Sequence, residues 1–184
     1  YLKWDGSNSR AIWATASTSL NGLSDVLIED NSLYIGNDPS STTSTAQYNV
    51  SVGTTALDAI TTGDNNTCIG YNSGTALTTG HSNTILGSGA GVATTDVDST
   101  VIIGNGAGAG VMTADANGTV AIGSSAGAAL TQGQYNTAIG YEALDAATTE
   151  DKCTAVGYQA LSGVTGTDGD SNNTALGYQA GLVI

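Results

Sequence analysis

The chain has 184 residues, among them 26 Gly and 27 Thr, one Pro, no Phe and only 19 charged side chains, a usage far from that of an average soluble enzyme domain. Its 16 acidic residues stand against Lys3, Arg10 and Lys152, and the net charge of −13 neutralises no phosphate, which argues against nucleic acid or an anionic membrane as partner. A lone histidine, His81, and two cysteines 85 residues apart with no CxxC assemble no zinc site within one chain, and no run of eighteen apolar residues is present to span a bilayer.

The first thirty residues are distinct in kind. They hold both tryptophans, Trp4 and Trp13, and two of the three cations, and they lack the phrase that repeats later. Residues 1–31 are therefore expected to be a connector or small lead-in segment. Asp5 and Asp25 fall where a signal peptide would need an apolar stretch. The chain opens on Tyr1 rather than Met and stops at Ile184 just after a motif, so it reads as an excerpt of a longer protein.

From residue 32 a short apolar phrase ending in Gly recurs: SLYIG, NVSVG, NTCIG, NTILG, TVIIG, TVAIG, NTAIG, CTAVG and NTALG. The closing glycines, Gly36, Gly53, Gly70, Gly87, Gly104, Gly123, Gly140, Gly157 and Gly177, are separated by 17, 17, 17, 17, 19, 17, 17 and 20 residues. A second phrase with a small residue follows, as in Tyr141-Glu142-Ala143-Leu144, and a Thr/Gly/Asp/Asn stretch closes the repeat. Gly in every phrase disfavours helix by about 1 kcal/mol each, and the β-branched content favours strand. Seventeen residues at about 3.3 Å each make a perimeter of roughly 56 Å, enough for short strands and turns in one coil of a solenoid. Residues 32–184 are predicted to form an all-β parallel β-roll of about nine such coils, a rod on the order of 40 Å long. The two longer spacings place insertions in turns, at Val111 to Gly118 and Thr165 to Asn172, because an insertion within a strand would turn every later side chain over.

The residue before each glycine is always Ile, Val or Leu: Ile35, Val52, Ile69, Leu86, Ile103, Ile122, Ile139, Val156 and Leu176. In register these form one apolar ladder, read as the core. One such residue per coil is a slender core, and self-association would supply the missing burial. Gly at the phrase end is expected where a neighbouring backbone leaves no room for a Cβ. Asn49, Asn66, Asn83, Asn136 and Asn173, four positions before the glycine, are expected to be left-handed turn residues whose amides bond along the stack, with a sugar or ion ladder as the alternative.

No catalytic, cofactor or metal residue is predicted. His81 lies in a Thr-Gly-His-Ser turn without the partners of a nucleophilic triad. Asp96 with Asp98, and Asp168 with Asp170, could act in glycoside hydrolysis, yet no aromatic cleft residues adjoin them, and the register of calcium β-rolls is missing. Cys68 and Cys153, about five coils or roughly 24 Å apart, lie too far from each other for a disulfide and are expected to be free thiols. Tyr71, Tyr141, Tyr158 and Tyr178 form a broken aromatic row, read as packing between coils, with sugar stacking as the alternative.

The phrases NTAIGYEAL, CTAVGYQAL and NTALGYQAG, joined by TTG and GxxN turns, resemble repeats of phage tail fibres of the cyanophage type that precede an endosialidase-type intramolecular chaperone. They are also similar to the head repeats of trimeric autotransporter adhesins, whose N-x-A-I-G phrase builds a trimeric β-roll with a shorter period. The resemblance covers residues 32 to 184. It implies a homotrimeric, non-enzymatic structural or adhesive segment of a virion tail fibre, assembled in the host cytoplasm. Its partners would be two copies of itself, other virion tail proteins and a host surface glycan or protein. A bacterial surface adhesin is the alternative, followed by a depolymerase tailspike and by an ice-binding solenoid. The last is suggested by Thr61-Thr62, Thr78-Thr79, Thr94-Thr95 and Thr148-Thr149 near one repeat offset.

Overall fold

The structure is a computed structural model that describes residues 2–5, 10–13, 26–36, 39–165 and 172–182. Its twelve strands are β1 (Leu2–Asp5), β2 (Arg10–Trp13), β3 (Val26–Glu29), β4 (Ser32–Ile35), β5 (Val50–Val52), β6 (Thr67–Ile69), β7 (Thr84–Leu86), β8 (Val101–Ile103), β9 (Val120–Ile122), β10 (Thr137–Ile139), β11 (Thr154–Val156) and β12 (Thr174–Leu176). β1 and β2 pair antiparallel in a sheet of their own. β3 to β12 form one ten-stranded sheet in strict sequence order.

Each strand from β4 to β12 pairs in parallel with the next, and equivalent residues of successive phrases are direct partners, as Cys68 is of Ile85 and Ala138 of Ala155. The predicted parallel solenoid is therefore present, with about eight coils along the nine strands. β8 and β9 remain in register across the 19-residue spacing, as do β11 and β12 across the 20-residue one, so both insertions fall outside the strands; residues 166–171 of the second lie outside the described residues. The only helical segments among the described residues are three-residue 3-10 turns at Pro39–Ser41 and Ala114–Ala116.

Strands this short end because the backbone turns left-handed on both sides. The residue before each Asn-type position is at positive φ, for example Asn65 at 60° and Ser82 at 61°, so the left-handed residue is the neighbour of Asn66 and Asn83, not the asparagine as expected. The closing glycine follows at a φ between 126° and 138° from Gly53 to Gly177. A Cβ at Gly140 would lie 2.2 Å from the carbonyl oxygen of Gly157. The glycine row thus meets both the predicted close approach and a backbone conformation that L side chains avoid.

The core lies elsewhere than the sequence suggests. The pre-glycine row stacks in register on one face, but that face is the outer one: Ile69 is 41% exposed, Ile139 36% and Leu176 79%. In a three-residue strand the middle side chain points opposite to its neighbours, and it is the middle residues, Ser51, Cys68, Ile85, Ile102, Ala121, Ala138, Ala155 and Ala175, that are buried. Two turn positions complete the interior. Six residues after the middle residue stand Leu57, Gly74, Gly91, Gly108, Gly127, Leu144, Leu161 and Gly181. Leu57, Leu144 and Leu161 face inward where the strand offers only Ser or Ala. Where it offers Ile85 or Ile102, Gly follows, and a Cβ at Gly91 or Gly108 would meet that isoleucine at 3.3 or 3.2 Å. In these coils small and large side chains thus exchange places so that one of the two positions fills the layer; Cys68, Ala121 and Ala175 are followed by Gly74, Gly127 and Gly181, where a Cβ would instead meet Cys68 Sγ, Leu130 and Leu161.

A second exchange occurs at the far corner. Ile60, Leu77 and Leu130 are each followed three residues later by Gly63, Gly80 and Gly133, whereas Thr94 is followed by Val97 and Ala147 by Glu150. Cβ atoms at the three glycines would lie 2.1 to 2.3 Å from a carbonyl oxygen of the next coil. Val97 and Glu150 precede the coils that carry the insertions, and there a side chain fits. The first insertion contributes to the interior as well: Met112 and Ala116 are fully buried, and Val111, Ala114 and Asp115 face outward.

At the other end, Asp30 and Asn31 both have positive φ, 46° and 61°, the signature of a two-residue type I′ turn. Across it β3 pairs antiparallel with β4, and Glu29 lies opposite Ser32. β3 covers the edge of β4, so this end of the parallel stack is not an open template for further pairing.

Candidate functional site

Because every coil repeats the last, the solenoid carries its chemistry in rows along the axis rather than in one pocket. The buried row is the asparagine ladder. The backbone N–H of Asn66 donates to Asn49 Oδ1 at 2.9 Å, that of Asn83 to Asn66 Oδ1 at 3.0 Å, and that of Cys153 to Asn136 Oδ1 at 2.9 Å. Each amide nitrogen donates in turn to a carbonyl of the neighbouring coil: Asn49 to Gly63, Asn66 to Gly80, Asn83 to Val97 and Asn136 to Glu150, at 2.6 to 2.8 Å. These side chains satisfy buried backbone groups at a corner where strand pairing stops. With their polar atoms so engaged they leave the structural reading of the ladder in place.

A second row runs along an outer corner and requires an acceptor at every level. Gln47 N–H donates to Asp64 Oδ1 at 2.7 Å, Asp64 N–H to His81 Nδ1 at 2.9 Å, His81 N–H to Asp98 Oδ1 at 2.7 Å, and Asp98 N–H to Asn117 Oδ1 at 2.6 Å. His81 therefore accepts at Nδ1 and carries its proton on Nε2, the work of a turn residue rather than of a base aimed at a nucleophile. Asp98 belongs to this row, while Asp96 accepts from the backbone of Ala114 at 3.0 Å and the hydroxyl of Thr95 at 2.9 Å. The two carboxylates are tied to different partners. Asp168 and Asp170 lie outside the described residues. Among the described residues no group of three His, Cys, Asp or Glu could hold a metal ion.

In the threonine pairs the first member is engaged within the stack: Thr61 and Thr78, like the single Thr131, direct their hydroxyls along the axis, donating to the carbonyls of Thr78, Thr95 and Thr148 at 3.0 Å each, while Thr62 and Thr79 are exposed. Cys68 and Cys153 are buried and not joined in a disulfide, and burial pushes the Cys68 thiol up to about 12, so it is no nucleophile.

A third row is the tyrosine ridge. The rings of Tyr141 and Tyr158 stack at 5.3 Å, and those of Tyr158 and Tyr178 at 5.1 Å, both nearly parallel. The facing sides of these three rings are spent on each other, as the packing reading expects, while Tyr178 stays 72% exposed and Tyr71, in an earlier coil, 59%. Beside them Gln159 donates to Glu142 Oε2 at 2.7 Å and Gln179 to Gln159 Oε1 at 2.8 Å. The hydrogen bond from Gln159, followed by one with Tyr141, holds the Glu142 carboxyl below its usual range. Asp145 nearby is pushed the other way, first by burial and then by the charge of Glu142.

The fourth row is the outer face of the sheet. Its residues are the first and third of each strand: Val50, Thr67, Thr84, Val101, Val120, Thr137, Thr154 and Thr174 beside the pre-glycine row. Sequence reasoning found the pre-glycine row but assigned it to the interior.

No helix among the described residues is long and apolar enough to cross a membrane. The parallel β-solenoid is an architecture shared by several families of repeat proteins. No protein-family model, curated protein or solved structure matches the chain.

Proposed function

We propose that the chain is a rigid, non-catalytic shaft segment of a homotrimeric phage tail fibre, setting reach and presenting host-contact surfaces at its turns. The observation that carries this reading is the unbroken register of β4 to β12, with both departures from the 17-residue period lodged outside the strands. A fold that tolerates change only in its turns suits a spacer whose ends must stay at a fixed distance. The acidic net charge keeps such a rod from binding its host through phosphate groups.

A bacterial trimeric adhesin head is the second reading. It draws on the N-x-A-I-G phrase, in which Asn136 and Ala138 face inward and Ile139 outward. Removing three residues from the second insertion, to restore a 17-residue spacing, is expected to leave the fold unchanged by circular dichroism and to alter, at most, adsorption of the fibre to its host. Release of sugar from host polysaccharide by the purified chain, lost on replacing Asp168 or Asp170, would instead establish a depolymerase. A virion location is tested by finding the chain in purified particles rather than at a bacterial surface.

A further inference from the structure

We propose that the outer face of the parallel sheet is a self-association seam, covered by further copies of this chain that lie parallel to it and in register. The inference rests on the fibre reading for its threefold stoichiometry, but its location rests on the face itself.

Three observations converge. None of the 24 residues of β5 to β12 is charged, although the chain carries a net charge of −13. The acids stand on the turns instead, at Asp58, Asp64, Asp96, Asp98 and Asp151. Two copies meeting through their turns would oppose like charges, whereas two meeting through the sheet would not. Second, the outward side chains here are apolar or β-branched at every level, half-buried in β7, β8, β9 and β11 and exposed at Val50, Ile69, Ile139 and Leu176. Eight strands about 4.8 Å apart and three residues wide give a planar footprint of roughly 400 Å², the size of the largest apolar patch an ordinary monomer carries. Third, the rows repeat at the rise of one coil, so a partner matching them along the full length needs the same rise. The chain itself has it.

Register follows from the same rows. Parallel copies at one level set Leu86 against Leu86 and Ile139 against Ile139, and they bring both insertions and the β3 end to matching heights. A shift by one coil would pair unlike residues and set each insertion against a regular turn.

Two cysteine variants of the whole chain test the seam: Ile139→Cys on the face and Gln132→Cys on an exposed turn. The native thiols are buried and stay silent in the folded protein. Sedimentation is expected to give a trimer. In it the thiol at 139 should react with maleimide at least about tenfold more slowly than that at 132, and mild oxidation should link chains through 139 and not through 132. Ile139→Asp should dissociate the trimer while its β-sheet dichroism persists. If that variant does not fold, the thiol comparison decides. An assembly in which 139 labels as fast as 132 would overturn the seam and leave the fibre reading standing. A monomer with 139 freely reactive would overturn both, and if that monomer also restrained ice growth the face would be one that meets ice.

Discussion

The middle coils and the C-terminal coils solve one packing problem in opposite ways. In β7 and β8 the strand supplies the bulk, through Ile85 and Ile102, and the turn six residues later is glycine. In β10 and β11 the strand supplies only Ala138 and Ala155, and the turn supplies Leu144 and Leu161. The backbone hardly notices: φ is 54° at Gly91 and 55° at Leu144. In these four coils the bulk stands at one of the two positions and not at both, whereas at β9 and β12 both positions are small (Ala121 with Gly127, Ala175 with Gly181) and a leucine from elsewhere, Leu130 or Leu161, lies against the glycine.

The sharpest way to break this relation is to remove the bulk from one partner. Ile85→Ala is expected to destabilise the chain by about 2–5 kcal/mol, because Gly91 contributes nothing to fill the cavity. Gly91→Leu alone should cost about 1–3 kcal/mol by overfilling the same layer. The double variant reproduces the pairing of Ala138 with Leu144 and should be more stable than Ile85→Ala, with a coupling of at least about 1 kcal/mol. Urea unfolding of the four proteins measures it, and strict additivity of the two changes would show that the layers do not share volume.

This sharing also explains what could be seen in the sequence and what could not. The period, the strands, the placing of both insertions outside the strands and the crowding at the closing glycines were legible because each is written in every repeat. The orientation of the strand was not. The pre-glycine column is uniformly large and apolar, which imitates a core, while the true core column reads Ser, Cys, Ile, Ile, Ala, Ala, Ala, Ala because turn residues share the filling of the interior. The signal that would have found it is the reciprocal size of residues six apart in the coils of Ser51, Ile85, Ile102, Ala138 and Ala155. Asp30-Asn31 between two apolar runs is likewise a readable hairpin turn, lying outside the 17-residue phrases. The candidate site fared similarly: the tyrosine row and the absence of a disulfide between Cys68 and Cys153 were visible from spacing, but the outer face was concealed by the same inversion.

The corner ladder offers a test of intermediate size. Asn66→Ala removes the acceptor for Asn83 N–H and the donor to Gly80 carbonyl in one step, leaving two buried backbone groups without partners. A loss of about 2–6 kcal/mol is expected from about 1–3 kcal/mol for each such group. Asn136→Ala, in the coils where the turn carries the bulk, should lose a similar amount, since Asn136 serves Cys153 and Glu150 in the same way. Thermal unfolding compares them. A large difference would mean that the two halves of the solenoid differ in more than the placement of volume.

The smallest effect concerns charge, and it belongs to the C-terminal coils alone. Asp145 has its carboxyl raised above the ordinary value, by burial first and by Glu142 second. A raised carboxyl means that the folded state disfavours the ionised form. The resulting penalty is absent below the unfolded value, near 3.8, grows as pH rises through the interval up to the folded value, and is complete above it. Asp145→Asn keeps a carbonyl oxygen for the backbone N–H groups of Asp145 and Ala146 and removes the charge, so it should stabilise the chain at neutral pH and lose that advantage in acid. Glu142→Gln removes only the second cause. It should bring the Asp145 titration, followed by carboxyl carbon NMR, part of the way back toward 3.8. An unchanged titration in that variant would leave burial as the whole cause and uncouple Asp145 from the ridge of Glu142, Gln159 and Gln179.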